Sequence, residues 1–578
     1  MSGLFFYPKG RIMDCKEMIL SDDFYNILLD YPAALAEEGL EGIPNCFQQL
    51  ENGYSVLYVD SRETEPLNLM RYRYAYIPKC YGLLSPGKLG SAQVREAGGA
   101  YVESGITSVQ RPPLSLSGEG ILIGFIDTGV RYRLDEFIGE DGESKIFSVW
   151  DQTLQDGNPP EGFAYGTEIT REMIGRELAR IRRGEEETIG HRDESGHGSQ
   201  MVSAALRAAP GAQIVMVKCR QVKPYLKRFY GIAQETLAYG EDDIMTGLTY
   251  LERIANQQNK PLVICITMGT NMGDHRGNSL LNRYMELLGN RRRRSIVIGG
   301  GNEGNLGHHY KGSVEIGDSF AYEDVEIRVG ENVRSFSFEL WGNIPYNFSI
   351  ALRAPDGELA DRIPIRYGQE RTVRFVFSGT SVYVSYVFVE RNTGAQLIFV
   401  RFTDPSPGIW TVRVYAEGES GKAEYNMWLP MEAFLEEPTY FLRPDPYLTM
   451  TEPSYFSDGI GNTYYDWEDG SFALGSGRGD EVRRESGPAL SVAGVNVATA
   501  FGEVTGSGVS AALMAGAVAL FMEWAIIRQG DPLLGSVEIR NYFIRGAQRS
   551  VDENYPNPLW GYGKMNIEGV FRELIEEI

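Results

Sequence analysis

The chain has 578 residues, and at about 100–200 residues per domain this exceeds one compact core and points to three or four units. Hydrophobic residues make up 43% and charged residues 23%, a globular rather than disordered composition. A formal net charge of −23 and a pI of 4.9 exclude the basic surface that a nucleic-acid partner needs.

Residues 1–84 read as a small α+β unit. Segment 22–38 has helical spacing (Phe24, Ile27, Leu28, Tyr31, Leu35) and predicts a helix. GYSVLYVD at 53–60 alternates as a strand, residues 67–74 fit either a second helix or a strand, and the unit closes on AYIPKCYGLLSP. From Gly120 the pattern changes. ILIGFID (121–127), AQIVMVKC (212–219), PLVICITMG (261–269) and SIVIGGGN (295–302) are near-continuous apolar runs, with helical stretches at 197–207, 240–258 and 279–291. Buried strands alternating with helices imply a parallel α/β sheet covered on both faces, with function at the carboxyl ends of its strands.

Between about 311 and 450 some eight short segments, among them DVEIRVG, SFSFELWG and IWTVRVYAEG, alternate apolar and polar residues and are separated by Gly, Pro, Asp and Asn. They predict an inserted all-β sandwich or jelly roll. The expected organisation is therefore 1–84, 85–310, insertion 311–450, and 451–578. After 480 the α/β pattern returns, and GSGVSAALMAGAVALFMEWAIIRQ (506–529) reads as a buried central helix.

Several absences complete the reading. No run approaches 18 uninterrupted apolar residues, so no membrane span is expected. The opening MSGLFFYPKGRIMDCKEM lacks a secretory signal pattern, so synthesis in the cytoplasm without export is expected. Cys15, Cys46, Cys80, Cys219 and Cys265 are odd in number and widely spaced, and predict neither a zinc site nor a disulfide framework. No acidic loop forms an assignable calcium site, and no cofactor or metal is expected. The four arginines at 291–294 read as a solvent-facing helix end, or alternatively as a docking patch for an acidic partner.

Three segments carry candidate chemistry. GFIDTGV places Asp127 at the end of a buried strand, DESGHGSQMVSAAL places His197 on the first turn of a helix, and VTGSGVSAALMAG is a tight small-residue turn opening the apolar helix. Each alone is weak: an acid after a strand is often a cap, a lone histidine is more often structural, and small residues pack closely.

In this order the three resemble the Asp, His and Ser motifs of the subtilase family. His197-Gly198-Ser199 resembles its HGT, IGGGNEGN places Asn302 at the oxyanion position, and ITMGTNMG places Thr267, Met268 and Gly269 on the substrate-binding strand. The family's GTSxAAxxxAG aligns without a gap on GSGVSAALMAG, which puts Gly508 in the serine slot and Ser507 one position early. YPNPLWGYGKMN at 555–566 resembles the family's ending. Within the family, the layout of prodomain and jelly-roll insertion, together with MGTNMGDHRGNSLL and IPKCYGLL, resembles the Csp proteases of clostridial spores, some of which are pseudoproteases that have lost triad residues.

The resemblance implies a subtilisin-like α/β fold, a prodomain held in the cleft, packaging into the spore, and a role in germination. Its implied partners are a sibling Csp protease or a cortex hydrolase precursor, and a small-molecule germinant. Glycine has no atom that can attack a carbonyl, so a regulatory pseudoprotease is the leading expectation. The alternatives are an active endopeptidase using Ser507 as a displaced nucleophile, and a scaffold that captures substrates. Ser507 is expected to point away from His197, and Ser510 to face the core.

Overall fold

The computed structural model describes residues 5–6, 12–31, 45–64, 66–84, 98–317, 321–364, 370–482 and 487–576. Its centre is an eight-stranded sheet. The strand order is Leu490–Ala493, Ile460–Tyr465, Arg294–Gly299, Leu262–Ile266, Leu122–Asp127, Gln213–Lys218, Ile146–Asp151 and Thr167–Thr170. All neighbours pair in parallel except the last, which is antiparallel.

The continuous apolar runs follow from burial on both faces. Leu122 and Ile126 join one core with the helices Glu241–Gln257 and Leu280–Gly289, whereas Ile123 and Phe125 join another with His197–Ala208 and Ser507–Met522. The helical stretch 507–528 is long and apolar enough to cross a bilayer, but 89% of its most apolar window is buried inside this second core. That is the expected state of a central helix hydrophobic on every side.

The insertion consists of a six-stranded and a five-stranded antiparallel sheet sharing one core, with Phe338, Ile350, Val400 and Trp410 inside it. It docks on the body by stacking Phe399 on Phe229, with ring centres 5.1 Å apart, and by a Ser337 hydroxyl donating to the Tyr230 carbonyl at 2.8 Å.

The N-terminal segment departs from expectation. Phe24–Leu29 is a strand, not the start of a helix, and forms an antiparallel sheet with Ser55–Asp60 and Asn45–Gln49. All six of its residues are buried, so it lacks the two-residue polarity alternation that marks a half-exposed strand. The remainder of 22–38, from residue 32 on, lies outside the described residues. Residues 67–74 are neither helix nor strand but turns leading into a 3₁₀ turn at Tyr74–Tyr76. Cys15 and Cys46 form a disulfide, with Cα atoms 5.6 Å apart. Their wide spacing hid the pair, which the packing of the helix Cys15–Leu20 on the strand Asn45–Gln49 brings together.

The arginine run is not a free surface patch. Arg291 pairs with Glu252 and Glu51, and Arg294 is buried against Glu252.

The N-terminal segment meets the body through polar contacts. Asn26 donates to Asp242 at 2.7 Å, and Arg220 bridges Asp243 (2.8 Å) and the Ile19 carbonyl (2.8 Å). Burial, with Asp243 next in effect, pushes the Asp242 carboxyl up to about 7. The folded protein thus keeps a proton that the unfolded chain releases near the ordinary aspartate value of 3.8. Stability is therefore lost as pH rises from about 4 to about 7 and the penalty is constant above that. Asp242→Asn keeps the oxygen that accepts from Asn26. It is expected to remove this part of the pH dependence and to gain about 2 kcal/mol at pH values above about 7. Urea unfolding of both proteins across that window checks it: a difference that does not grow with pH contradicts the assignment.

Candidate functional site

The parallel register ends Leu122–Asp127 with Asp127 fully buried beside the start of His197–Ala208. His197 Nδ1 lies 2.8 and 2.9 Å from the two Asp127 oxygens. Thr128 N–H (2.7 Å) and the Thr267 hydroxyl also donate to this carboxylate. Gly198 is required by proximity: a Cβ there would stand 2.2 Å from the Gly129 carbonyl.

The His197 ring is 4% exposed. Burial alone would lower its pKa, but the Asp127 charge and hydrogen bond outweigh this and raise it. Its Nε2 is buried and has no well-formed partner; the nearby Leu84 carbonyl can accept a hydrogen bond from the protonated ring and so favours it. Nε2 is the atom that would take a proton from a nucleophile, and the residue facing it is Gly508. A Cβ built on Gly508 would lie 3.5 Å from Nε2, 3.2 Å from Met201 Sδ and only 2.8 Å from the Leu84 carbonyl oxygen.

Ser507 is turned elsewhere. Its hydroxyl accepts from Gly301 N–H at 3.0 Å, and its own N–H donates to Asn302 Oδ1 at 3.0 Å. Ser510 donates to the Ser507 carbonyl and accepts from Asn462, inside the core. The Asn302 oxygen is thus fixed toward the helix start, which assigns its NH₂ group to the other side of the amide. Asp127, His197, Asn302 and Gly508 come together as the sequence placed them, and neither serine bonds to His197.

The cleft beside them is filled by the chain itself. Cys80–Leu83 runs antiparallel between Met268–Gly269 and Tyr239–Gly240. Gly82 pairs with Gly269, Leu83 with Met268, and Leu84 N–H donates to the Thr267 carbonyl at 2.9 Å. Leu84 is 1% exposed. Its side chain lies between two glycines, 2.8 Å from where a Cβ of Gly299 would stand and 3.0 Å from one of Gly269. A side chain at either glycine would close this pocket. Met431 and Phe434 of the insertion cover the strand at Gly82.

Sequence reasoning missed Tyr239–Gly240, Met201, Thr451 and the Thr267 hydroxyl contact. Met201 had a signal, since it lies four residues after His197 and so on the same helix face. Thr451, which walls Gly269 and Gly301, had none, because only the folded chain brings it there.

No family model matches the sequence, and no curated protein is similar to it. Among solved structures, the Clostridium perfringens CspB protease is 27% identical, with a TM-score of 0.71 covering 83% of this chain and 98% of that one. Fervidolysin from Fervidobacterium pennivorans, described as a keratinolytic enzyme related to subtilisin, is 11% identical, with a TM-score of 0.44 over 96% of this chain and 62% of that one.

The Leu84 side chain anchors the strand in the cleft. Leu84→Ala is expected to cost about 2–4 kcal/mol and to loosen the strand before it affects the body. Hydrogen exchange at 80–84 should rise while exchange in 122–127 is unchanged. Equal protection of 80–84 in both proteins would show that the pocket does not hold the strand.

Proposed function

The chain is a subtilase with affinity to the Csp proteases, and on that premise we propose that it acts by binding and not by cutting, as a regulatory pseudoprotease. One observation carries this reading: the residue opposite the free edge of His197 is Gly508, and the nearest oxygen there is the Leu84 carbonyl. In an intact triad the histidine takes the nucleophile's proton while the aspartate fixes its tautomer. Here Asp127 and His197 are in hydrogen-bond contact, but there is no oxygen to activate. Removing the nucleophile from subtilisin itself costs about 10⁶ in kcat.

The N-terminal segment is then a prodomain that stays attached. Leu84 occupies the position of a residue whose carbonyl would be attacked, but no attack follows, so the strand continues to fill the cleft. A partner must use another surface or displace this strand. The resemblance to the Csp group supports a role in spore germination, with packaging in the spore. A sibling protease or a cortex hydrolase precursor would be the partner and a small germinant the signal; the warrant for this is analogy. The reading through Ser507 is disfavoured because its hydroxyl is engaged with Gly301 N–H.

A fluorophosphonate probe is expected to leave the purified protein unlabelled, with a single full-length band on a denaturing gel. Robust labelling abolished by Ser507→Ala would end the pseudoprotease reading. Gly508→Ser supplies the missing hydroxyl. Its Cβ would stand 2.8 Å from the Leu84 carbonyl oxygen, so the backbone at Leu84 must shift to admit it, and the variant is expected to gain labelling and a clip after Leu84.

A further inference from the structure

We propose that a small pocket where the N-terminal segment, the body and the insertion meet binds a compact cation, the primary ammonium group of a small amine. The pocket lies between Tyr74 and Lys79 of the first, Asp274, Ser279 and Glu452 of the second, and Trp341, Glu390 and Asn392 of the third. It is separate from the cleft at Gly508, and the proposal does not depend on whether that cleft is inert.

The charge balance is the first argument. Asp274, Glu390 and Glu452 line the pocket and are 8%, 3% and 1% exposed. Glu241 and Glu339, also buried, stand close enough to act on Lys79. Against these five carboxyl groups the one buried cation is Lys79, and its ammonium is already engaged. It donates to the Tyr74 and Ile77 carbonyls at 2.7 Å and sits 4.1 Å from the centre of the Tyr74 ring. Arg276, exposed to solvent, acts on Asp274 and reaches the Asn343 side chain. Neutral donors serve most of these carboxyl groups, Tyr74, Gly273 and Trp341 for Glu339 and Asn278 for Asp274, and the Lys79 ammonium stands 4.0 Å from Glu241; burying their charge with so few cations is still costly. Burial, and then the neighbouring Asp274, pushes Glu452 up to about 8.

The hydrogen-bond inventory is the second argument. Glu452 Oε1 accepts from Gly277 N–H at 3.0 Å, but its Oε2 is buried without a partner. Asn392 Oδ1, also at the pocket, is likewise buried and unpartnered. Once Glu452 is ionised, these two orphan acceptors and its charge suit a cationic donor with several N–H bonds, and an ammonium group has three. The Trp341 ring adds an aromatic surface. The free volume, about 20 Å³, fits one water-sized group, so the ammonium head enters and the rest of the amine remains outside. Among the described residues no three His, Cys, Asp or Glu side chains converge as a metal site, which disfavours a divalent ion.

The test is thermal unfolding of the full chain at about pH 9, where Glu452 is ionised and an alkylamine is still charged. Methylammonium, potassium and tetramethylammonium chlorides are compared at equal ionic strength. Methylammonium is expected to raise Tm by about 1–3 °C with saturation. Potassium and tetramethylammonium should not. Glu452→Gln, which keeps the oxygen facing Gly277, should abolish the rise. Asn392→Ala, at the pocket's edge, should raise the half-saturating concentration by about threefold or more, and it keeps the test usable if the buried variant does not fold. A rise equal to that in potassium chloride would mean an inorganic cation or screening only. That result, no rise at all, or an unchanged rise in the variants would each overturn the proposal.

Discussion

The placement of Leu84 is the contact on which the arrangement of the three segments depends. Its N–H is tied to the Thr267 carbonyl, its side chain lies between Gly269 and Gly299, and its carbonyl reaches the space beside Gly508. The strand before it completes a three-stranded sheet with Met268–Gly269 and Tyr239–Gly240. Backbone pairing alone is weak in so short a strand; burying the leucine side chain adds about 1.5–3 kcal/mol and sets the register. The insertion then covers the same strand through Met431 and Phe434, so it contacts the occupied cleft and not an open one.

The Asp127–His197 pair needs no catalytic role to persist. Asp127 is fully buried and accepts from His197, Thr128 and Thr267, so replacing the histidine would strip a partner from a buried carboxylate. With the histidine pKa raised, the charged pair stabilises the fold fully below the ordinary histidine pKa of about 6.5, and that contribution is lost as pH rises through the raised value. Packing and electrostatics alone therefore give both residues a structural role.

The body of the fold was legible because its strands are buried on both faces and its motifs sit at strand and helix ends, where residue type is tightly constrained. Gly508 was placed by the small residues around it, and its glycine neighbours have evident steric reasons to be small. Phe24–Leu29 was misread because complete burial erases the period that separates strand from helix. The Cys15–Cys46 pair, the Thr451 wall and the internal partners of Arg291 and Arg294 depend on contacts between distant parts of the chain, which local spacing does not encode.

Gly508 has two consequences that are mechanically linked. It places no hydroxyl opposite the free edge of His197, and it leaves room for the Leu84 carbonyl beside it. A Cβ at 508 would stand 2.8 Å from that oxygen, so a side chain there would have to hold the carbonyl further out. With glycine there, the Leu84 carbonyl, Met201 Sδ and the His197 edge share that space. On the proposed reading, the absent hydroxyl and the filled cleft reinforce each other. A binding function built on this scaffold is accordingly expected to use the surfaces that the three packed segments present together, since the ancestral cleft is filled by the protein's own chain.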